Sequence, residues 1–277
     1  MSIINYAGSR QLLVTARGHP YERDAFSTLF EPLQDFNWAL VEQPAAAYLF
    51  GPQLRERFAA CVCYDMPGVD FTAGAPPALL EPGDEFKEGF LALLEAGMGF
   101  VFLHHSIAAW PAWEEYAEIV GGRFHYRPGE LRGVSWPDSG YRHEVEHQVS
   151  VVQEHPVTAG VPSSFSMTDE LYLCPQFEDS FTPLLVSDYA FTEENFYSAR
   201  QAVAGNMFSR QDWNHPPGSP IIGWVKHYGN SPIVYLQGGD DDRAYANEHY
   251  QRLLHNAIRW VASDDAHQWA RARNSES

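Results

Sequence analysis

Basic residues are scarce in this chain. Among its 277 residues, 18 Lys and Arg stand against 36 Asp and Glu, which gives a formal net charge of −18. Because such a surface repels a phosphate backbone, we expect no nucleic-acid partner, and no anionic membrane partner for the same reason. An acidic balance also keeps many proteins in solution, so the charge by itself identifies no partner.

Cysteines and long apolar runs are also few. Cys61, Cys63 and Cys174 are too few for a disulfide framework and favour a reducing compartment. Each lies in an apolar run, so we expect three unpaired, structural thiols. The first ten residues are polar, unlike a signal peptide, and no run approaches the roughly 20 apolar residues of a membrane span. The sequence therefore predicts a cytoplasmic protein.

Apolar residues, in contrast, make up 45% of the chain and can fill a large core. Strand-like and helix-like segments alternate from residue 11 to residue 121, with short connections. This pattern predicts parallel βαβ units in an α/β, doubly wound, mainly parallel sheet with helices on both faces. We expect a single domain over residues 1–265 and a frayed polar tail over residues 266–277.

The segment from Gly97 to Val120 is the one around which the chain is organised. Its four bulky apolar residues, Phe100–Leu103, indicate a strand buried on both faces. His104 and His105 follow that strand directly, and Pro111 suits the first turn of a helix. In an open parallel sheet, ligands bind where strands end at their carboxyl termini.

His104 and His105 are the first candidates for catalytic groups. Histidine titrates near neutral pH, so an adjacent pair at a strand end favours acid–base or ligand chemistry. The alternative is that one of them is a hydrogen-bonded structural histidine. We expect His104 to point into the main polar pocket, with His105 and Trp110 at its wall. Replacing His104 by Ala is then expected to lower activity by about 10²-fold, with little loss of stability.

Further candidates follow other strand ends. His19, Glu22 and Arg23 lie on the turn after the first strand, although Glu22 and Arg23 also suit a solvated first helical turn. Glu170 precedes a later strand, where a capping or turn role is the alternative. We expect His19, Glu22 and Glu170 to share one crevice with His104.

His143 and His147 are candidates for binding a divalent metal. They are four residues apart, which is metal-ligand spacing on a helix and places both on one side of a regular strand. The same spacing is common on polar faces that bind nothing.

Five segments, in their order and spacing, resemble the ThuA-like (trehalose-utilisation) family. They are Gly18–Phe26, Phe100–Trp113, Arg127–Gly133, His147–Tyr172 and Gly223–Trp260. Members of this family have a class I glutamine amidotransferase-like fold. The resemblance therefore implies a flavodoxin-like sheet with its elbow directly after Phe100–Leu103.

In the amidotransferases that elbow carries a cysteine nucleophile, whereas His104 stands at the matching place here. Glutaminase chemistry needs an attackable thiolate, and no cysteine lies nearby in the sequence, so we expect no glutaminase activity. Family members also often carry Gly-His-Asp where this chain has Gly238-Gly239-Asp240. Asp240 is kept as a candidate for substrate binding.

The resemblance also implies a role in sugar metabolism, on trehalose-related disaccharides or on 3-keto-glycosides made by a partner dehydrogenase. A ketone at C3 acidifies the C2 proton, so such an enzyme needs a base, an acid and a group that holds the enolate oxygen. A divalent metal or cationic side chains can hold that oxygen. The candidates are His104, His105, Glu170 and Glu22 for catalysis, and His19, Arg23, Trp110 and Asp240 for sugar binding.

The alternative is a non-catalytic sugar-binding or regulatory protein on an amidotransferase-like scaffold. Clustered histidines and acids at several strand ends favour the enzyme, because binding alone needs fewer titratable groups. The expected partner is a small-molecule sugar, and the sequence leaves a homo-oligomer open.

Overall fold

The computed structural model describes residues 8–275, which form fourteen strands and eight α-helices. The strands are β1 (Arg10–Ala16), β2 (Phe36–Glu42), β3 (Ala60–Cys63), β4 (Val69–Asp70), β5 (Ala78–Leu79), β6 (Gly99–Leu103), β7 (Gly129–Leu131), β8 (Val134–Trp136), β9 (Gly140–Val151), β10 (Ser164–Leu173), β11 (Thr182–Ser187), β12 (Tyr197–Ser198), β13 (Ile221–Tyr228) and β14 (Ser231–Leu236). The helices are α1 (Arg23–Thr28), α2 (Leu54–Arg57), α3 (Asp84–Ala96), α4 (Glu114–Val120), α5 (Ala199–Val203), α6 (Asp242–Ala246), α7 (Glu248–Val261) and α8 (Asp264–Asn274).

One ten-stranded sheet carries the fold. Its order is β10-β9-β11-β13-β14-β6-β3-β1-β2, with β12 paired to β9. Strands β14, β6, β3, β1 and β2 are mutually parallel. The hairpin of β13 and β14 then reverses the chain and begins an antiparallel half. The prediction of a doubly wound α/β sheet is confirmed, and the antiparallel half extends it.

Apolar side chains alternate between two layers along the central strands. In β6, Val101 and Leu103 pack in the layer that includes α7, whereas Phe100 and Phe102 pack with α3 and α4. This alternation arises because successive strand side chains point to opposite faces. Helices therefore cover both faces of the sheet, as predicted.

The helix expected to start at Pro111 begins later. Trp110 has a left-handed backbone with φ of +45°, and Trp113 is extended, so regular helix geometry starts only at Glu114. The helix ends at Val120, and its C-cap, Gly121, takes the left-handed conformation that glycine allows. His104–Ala108 form a short 3-10 turn between β6 and this helix.

The predicted frayed tail is wrong over most of its length. Residues 264–274 form helix α8, which Ser263 caps by accepting a hydrogen bond from the Ala266 N–H. Ala266 and Ala270 are buried, and Ala266 packs in the core layer of α7. The polar composition of this segment concealed a short apolar face, in which Trp269 packs against the core beside the two buried alanines. Residues 276–277 lie outside the described residues.

The three cysteines are buried and unpaired, as predicted. Burial raises the pKa of Cys174 to about 12, so its thiol stays protonated at neutral pH. Within residues 8–275, no helix is both long and apolar enough to cross a membrane.

Candidate active site

His104 occupies a strained position directly after the central strand β6. Its φ of +40° is rare for a residue with a side chain, and such strain is found at functional turns. The imidazole lies across the end of the neighbouring strand β14, with Nδ1 2.5 Å from the Gln237 carbonyl oxygen. Because a carbonyl only accepts, Nδ1 carries a hydrogen and Nε2 faces the acidic groups.

Two carboxylates and a phenol surround His104 Nε2. Tyr172 Oη is 2.7 Å away, Glu170 Oε2 3.1 Å and Asp240 Oδ1 3.5 Å. Burial lowers the pKa of His104, but the hydrogen bonds and charges of Asp240 and Glu170 outweigh it and hold the pKa well above 6.5. Burial likewise opposes ionisation of Asp240, yet contact with His104 and His143 holds its pKa below the usual range. His104 is therefore an imidazolium between two carboxylates at neutral pH.

His105 differs from its neighbour in charge. Burial and the nearby positive His104 lower its pKa well below 6.5, so the ring is neutral. Nδ1 lies 3.1 Å from Tyr172 Oη, and Nε2 lies 3.8 Å from Asp240 Oδ1. Within residues 8–275, Nε2 of His105 is buried without a hydrogen-bond partner.

One ligand atom each from His104, His105, Glu170 and Asp240 lies within 4.8 Å of the other three. The mixture of imidazole and carboxylate donors is one that divalent metals accept. These residues come from the ends of β6 and β14 and from the interior of β10. The cluster is thus both an acid–base network and a set that could hold a metal ion.

A β-bulge brings a third histidine to this cluster. The pairing of β9 with β10 shifts register between Asp169 and Leu171, so that His143 and Glu144 together oppose Glu170. Glu144 has φ of +57°, as the extra residue of a bulge often requires. The bulge turns His143 towards Glu170.

His143 is half-buried and faces both carboxylates. Its Nδ1 is 3.3 Å from Glu170 Oε1 and 3.7 Å from Asp240 Oδ2. The hydrogen bond to Asp240 raises the pKa of His143, and burial opposes this only in part. His143 therefore carries a proton that it can give up beside Glu170.

His147 does not join His143, which corrects the predicted metal-binding pair. Because the bulge changes the phase of β9, His147 lies on the opposite face, in the apolar layer with Val149 and Met167. Its Nδ1 is 2.8 Å from Ser187 Oγ. Sequence spacing assumed a regular strand, and the extra residue breaks that assumption.

Acid should destabilise the protein partly through His147. Burial lowers the pKa of His147 to about 4, so the unfolded chain binds more protons than the folded one between about pH 6.5 and pH 4. Stability should therefore fall as the pH falls through that window. We expect the loss between pH 7 and pH 4.5 to be about 2 kcal/mol smaller in His147→Gln than in the parent chain.

The measurement is urea unfolding of both proteins at the two pH values. Taking each variant relative to its own stability at pH 7 removes the cost of the substitution itself. If both proteins lost the same amount of stability between pH 7 and pH 4.5, the assignment of a neutral, buried His147 would be contradicted.

Asp169 holds the loop after β14 in place through hydrogen bonds to its backbone. Its carboxylate accepts hydrogen bonds from the backbone N–H groups of Gly239 and Asp240, at 2.7 and 3.1 Å. Gly239 has φ of +116°, and a Cβ there would lie 2.4 Å from Tyr250 Oη. A side chain is thus strongly disfavoured at Gly239 in this structure.

A cavity of about 310 Å³ opens above the cluster. Its lining includes ionisable and aromatic residues of β9, β10 and several loops, together with Met207: His19, Phe71, Phe124, Tyr126, Tyr141, His143, Glu170 and Tyr172. No Lys or Arg of the described chain lines it.

His104 lies beneath this cavity rather than in it, which corrects the predicted orientation. Its side chain is fully buried, and the Tyr172 ring stacks on it at a centroid distance of 4.6 Å. Glu170 and Tyr172 form the cavity wall between His104 and the open space. His104 therefore reaches a ligand in the cavity only through those two side chains.

The other predicted site residues divide into two groups. His19 lines the cavity, and its ring lies 4.1 Å from that of His105. Glu22 is exposed at the start of α1, and Arg23 pairs with Glu42 at the surface. Trp110 packs 5.0 Å from the ring of Phe86 and faces a different groove.

The expected places of Glu22, Arg23 and Trp110 in the crevice are therefore wrong. Helix α1 carries Glu22 and Arg23 outward, as the solvated-turn interpretation held, and the left-handed backbone of Trp110 turns it towards α3. Sequence reasoning missed Tyr172 and Gln237. Tyr172 follows Glu170 by two residues on one strand, and that spacing was the available signal.

Residues 78–261 match the family model for ThuA, which is described as trehalose utilisation. The chain belongs to the ThuA family. The matched range contains His104, His105, Glu170 and Asp240. Two residues of the cavity lining, His19 and Phe71, precede it. Membership of ThuA supports a carbohydrate-related role.

Solved structures show the same fold as this ThuA protein. A ThuA-like protein from Bacteroides uniformis has 19% identity and a TM-score of 0.62, with 94% of each chain covered. A ThuA-like protein from Parabacteroides merdae has 16% identity and a TM-score of 0.61, covering 91% of this chain and 89% of that one. A cytoplasmic protein from Salmonella typhimurium has 9% identity and a TM-score of 0.53, covering 91% and 99%. A search among curated proteins finds no match.

Proposed function

We propose that this ThuA protein is a carbohydrate-metabolism enzyme that acts on trehalose-related disaccharides, in their 3-keto-glycoside form, by His/Glu acid–base chemistry. The observation that carries the proposal is the cavity in which Glu170 and His143 stand in contact beside several aromatic rings. The family's association with trehalose utilisation supplies the substrate class.

The size and lining of the cavity support a small uncharged ring as the ligand. Its volume of about 310 Å³ lies at the lower end of the range of small-molecule sites. Aromatic faces such as those of Tyr126 and Tyr141 suit the apolar face of a sugar. Since no Lys or Arg among residues 8–275 lines the cavity, a phosphorylated sugar would lack there the side chains that usually bind a phosphate.

The contact between Glu170 and His143 supports an acid–base cycle that conserves protons. In the proposed reaction the Glu170 carboxylate takes the acidified C2 proton, and the bond from C1 to the leaving oxygen breaks. His143 gives its proton to that oxygen, which releases the second sugar as an alcohol and leaves an unsaturated keto-sugar. The 3.3 Å contact then lets protonated Glu170 return a proton to His143.

His104 and His19 support this cycle from outside the reacting bonds. The positive charge of His104 lies 3.1 Å from Glu170 Oε2 and stabilises the carboxylate between turnovers. His19 lines the cavity and packs against His105, so it can contact a bound sugar. Glutaminase chemistry is not part of the proposal, because His104 stands where an elbow cysteine would be needed.

The test is incubation of the protein with a 3-keto-disaccharide and with its unoxidised parent. We expect free monosaccharide from the keto form only, because the parent lacks the carbonyl that acidifies C2. Chromatography of the products measures the release. Binding of the keto form without any release would support the sugar-binding alternative and contradict the enzyme, and equal release from both substrates would contradict the keto mechanism.

The proposed partner is thus a small sugar, and neither nucleic acid nor a membrane, in line with the net charge of −18. The proposed location is the cytoplasm, which agrees with the name of the Salmonella typhimurium neighbour as a cytoplasmic protein.

A further inference from the structure

We propose that His104, His105, Glu170 and Asp240 bind one divalent transition-metal ion, with Zn²⁺ as the best-matched ion, at the floor of the cavity. The inference deepens the proposed function, and its catalytic consequence rests on that function. The binding site itself is argued from geometry alone and can be tested without any substrate.

The donor atoms already stand at distances that fit a single ion. Zinc bonds to nitrogen and oxygen of about 2.0–2.1 Å put the ligand atoms of a tetrahedral site about 3.3 Å apart. Here His104 Nε2 lies 3.1 Å from Glu170 Oε2 and 3.5 Å from Asp240 Oδ1, and His105 Nε2 lies 3.8 Å from the same Asp240 oxygen. Small side-chain rotations bring the remaining pairs, all within 4.8 Å, to ligand spacing.

The outer nitrogen of each histidine is already engaged in the way that metal-bound histidines require. His104 Nδ1 donates to the Gln237 carbonyl, and His105 Nδ1 bonds to Tyr172 Oη. Metal-ligating histidines almost always use their second nitrogen in this manner, because the bond fixes the tautomer and the ring orientation. Both Nε2 atoms are thereby directed at the carboxylates.

The buried His105 Nε2 is the independent observation that points to a ligand at this cluster. It has no hydrogen-bond partner within residues 8–275, although its side chain is only 2% exposed. Leaving a buried polar atom unsatisfied costs about 1–3 kcal/mol. A metal ion bound to Nε2 removes that cost.

Charge and rigidity also match a divalent ion. Metal binding would displace the proton from His104 Nε2. Two neutral imidazoles and two carboxylates then carry two negative charges, which one divalent cation neutralises. Asp240 is held in place because Asp169 binds its backbone N–H and the hydroxyls of Tyr64 and Tyr245 donate to its carbonyl oxygen. The set contains imidazole and carboxylate donors and no thiolate, which suits Zn²⁺ more than the soft ions.

The site opens towards the cavity on the side of the carboxylates. Glu170 lines the cavity, and Asp240 is 17% exposed, whereas both histidines are fully buried behind them. With four protein ligands, an ion held there would bind a keto oxygen as a fifth ligand on the cavity side, where that oxygen can be polarised. Glu170 would hold the ion through Oε2 and keep Oε1 towards His143, so the proposed acid–base pair remains.

The experiment measures Zn²⁺ binding to the full chain without substrate. After chelator treatment and dialysis, we expect one Zn²⁺ per chain by titration calorimetry and elemental analysis. Asp240→Asn and His105→Ala should each weaken Zn²⁺ binding by about 10–100-fold or more. His147→Gln serves as the control, since its side chain lies on the opposite face and binding should be unchanged.

Circular dichroism establishes that each variant is folded, and Co²⁺ substitution gives a second readout that needs no activity. Wild-type protein loaded with Co²⁺ should show visible d–d absorption, which Asp240→Asn should lose. A folded wild type that binds no Zn²⁺, or folded Asp240→Asn and His105→Ala proteins that bind it as the wild type does, would overturn the inference. Metal binding without release of sugar from a 3-keto-disaccharide would instead contradict only the proposed function.

Discussion

Replacing Glu170 by glutamine is expected to lower the turnover of a 3-keto-disaccharide by about 10²-fold or more, the usual scale for removal of a catalytic acid or base. Glutamine has nearly the same size, so the cavity keeps its shape. Its amide cannot accept the C2 proton, and it cannot return a proton to His143, whose Nδ1 lies 3.3 Å from Glu170 Oε1. The loss should fall on kcat more than on KM, because the substituted group touches the reacting atoms and the aromatic lining is unchanged.

Glu22→Gln is the matched control for this experiment. The same chemical change is made at a carboxylate that the sequence also placed in the site, but that the structure leaves exposed at the start of α1. Steady-state kinetics of both variants should give a normal rate for Glu22→Gln and a low one for Glu170→Gln. Wild-type turnover in Glu170→Gln would contradict the assigned role.

The parallel half of the fold follows closely from the sequence pattern. Phe100–Leu103 is apolar at every position, as a strand covered on both faces must be, and β6 does lie in the middle of the sheet. The antiparallel half of the sheet was harder to predict from the sequence. Polar and apolar residues alternate over residues 143–152, a pattern typical of an exposed strand, yet β9 lies between β10 and β11. Alternation indicates which faces of a strand are buried and not which strands pair with it.

The site was predictable where a side chain stands directly at the end of a parallel strand. His104 follows β6, His19 lies shortly after β1, and Asp240 follows β14, and strand ends in a parallel sheet meet at one edge. Their convergence is therefore a consequence of topology. Glu170 joins them from within an antiparallel strand, and its place depends on the register of that strand.

Predictions failed where the backbone departs from regular geometry. The bulge at His143 and Glu144 sends His143 to the cavity and His147 to the opposite layer, and nothing in their spacing reveals one extra residue. Trp110 is displaced by its own φ of +45°. Positive φ values at residues other than glycine are set by tertiary contacts, which a single sequence does not display.

Replacing His104 by alanine is expected to lower the free energy of unfolding by about 3–5 kcal/mol, the scale for breaking a buried ion pair from one side. The sequence alone led us to expect little loss, on the assumption that the side chain projects into an open pocket. Instead His104 is fully buried, and its removal takes the buried cation from the carboxylates of Glu170 and Asp240, which keep the half-buried His143, and leaves the Gln237 carbonyl without its donor. Chemical denaturation of the metal-free protein at pH 7 measures the effect, because a bound metal ion would displace the proton from His104 Nε2.

His227→Ala is the control, because that histidine is half-buried and makes a longer hydrogen bond of 3.3 Å to the Gly229 carbonyl. Its loss of stability should be smaller than that of His104→Ala.

The difference in the free energy of unfolding between the His104→Ala and parent proteins should also depend on pH. The pKa of His104 is raised well above 6.5 in the folded state, so the stability from its charge is fully present below about pH 6.5 and is lost as the pH rises through the folded pKa. The difference in unfolding free energy between the two proteins should therefore become smaller as the pH rises from 7 to alkaline values. A His104→Ala protein as stable as the parent at pH 7, or a difference that grows with rising pH, would show that His104 is not a buried imidazolium held by Glu170 and Asp240.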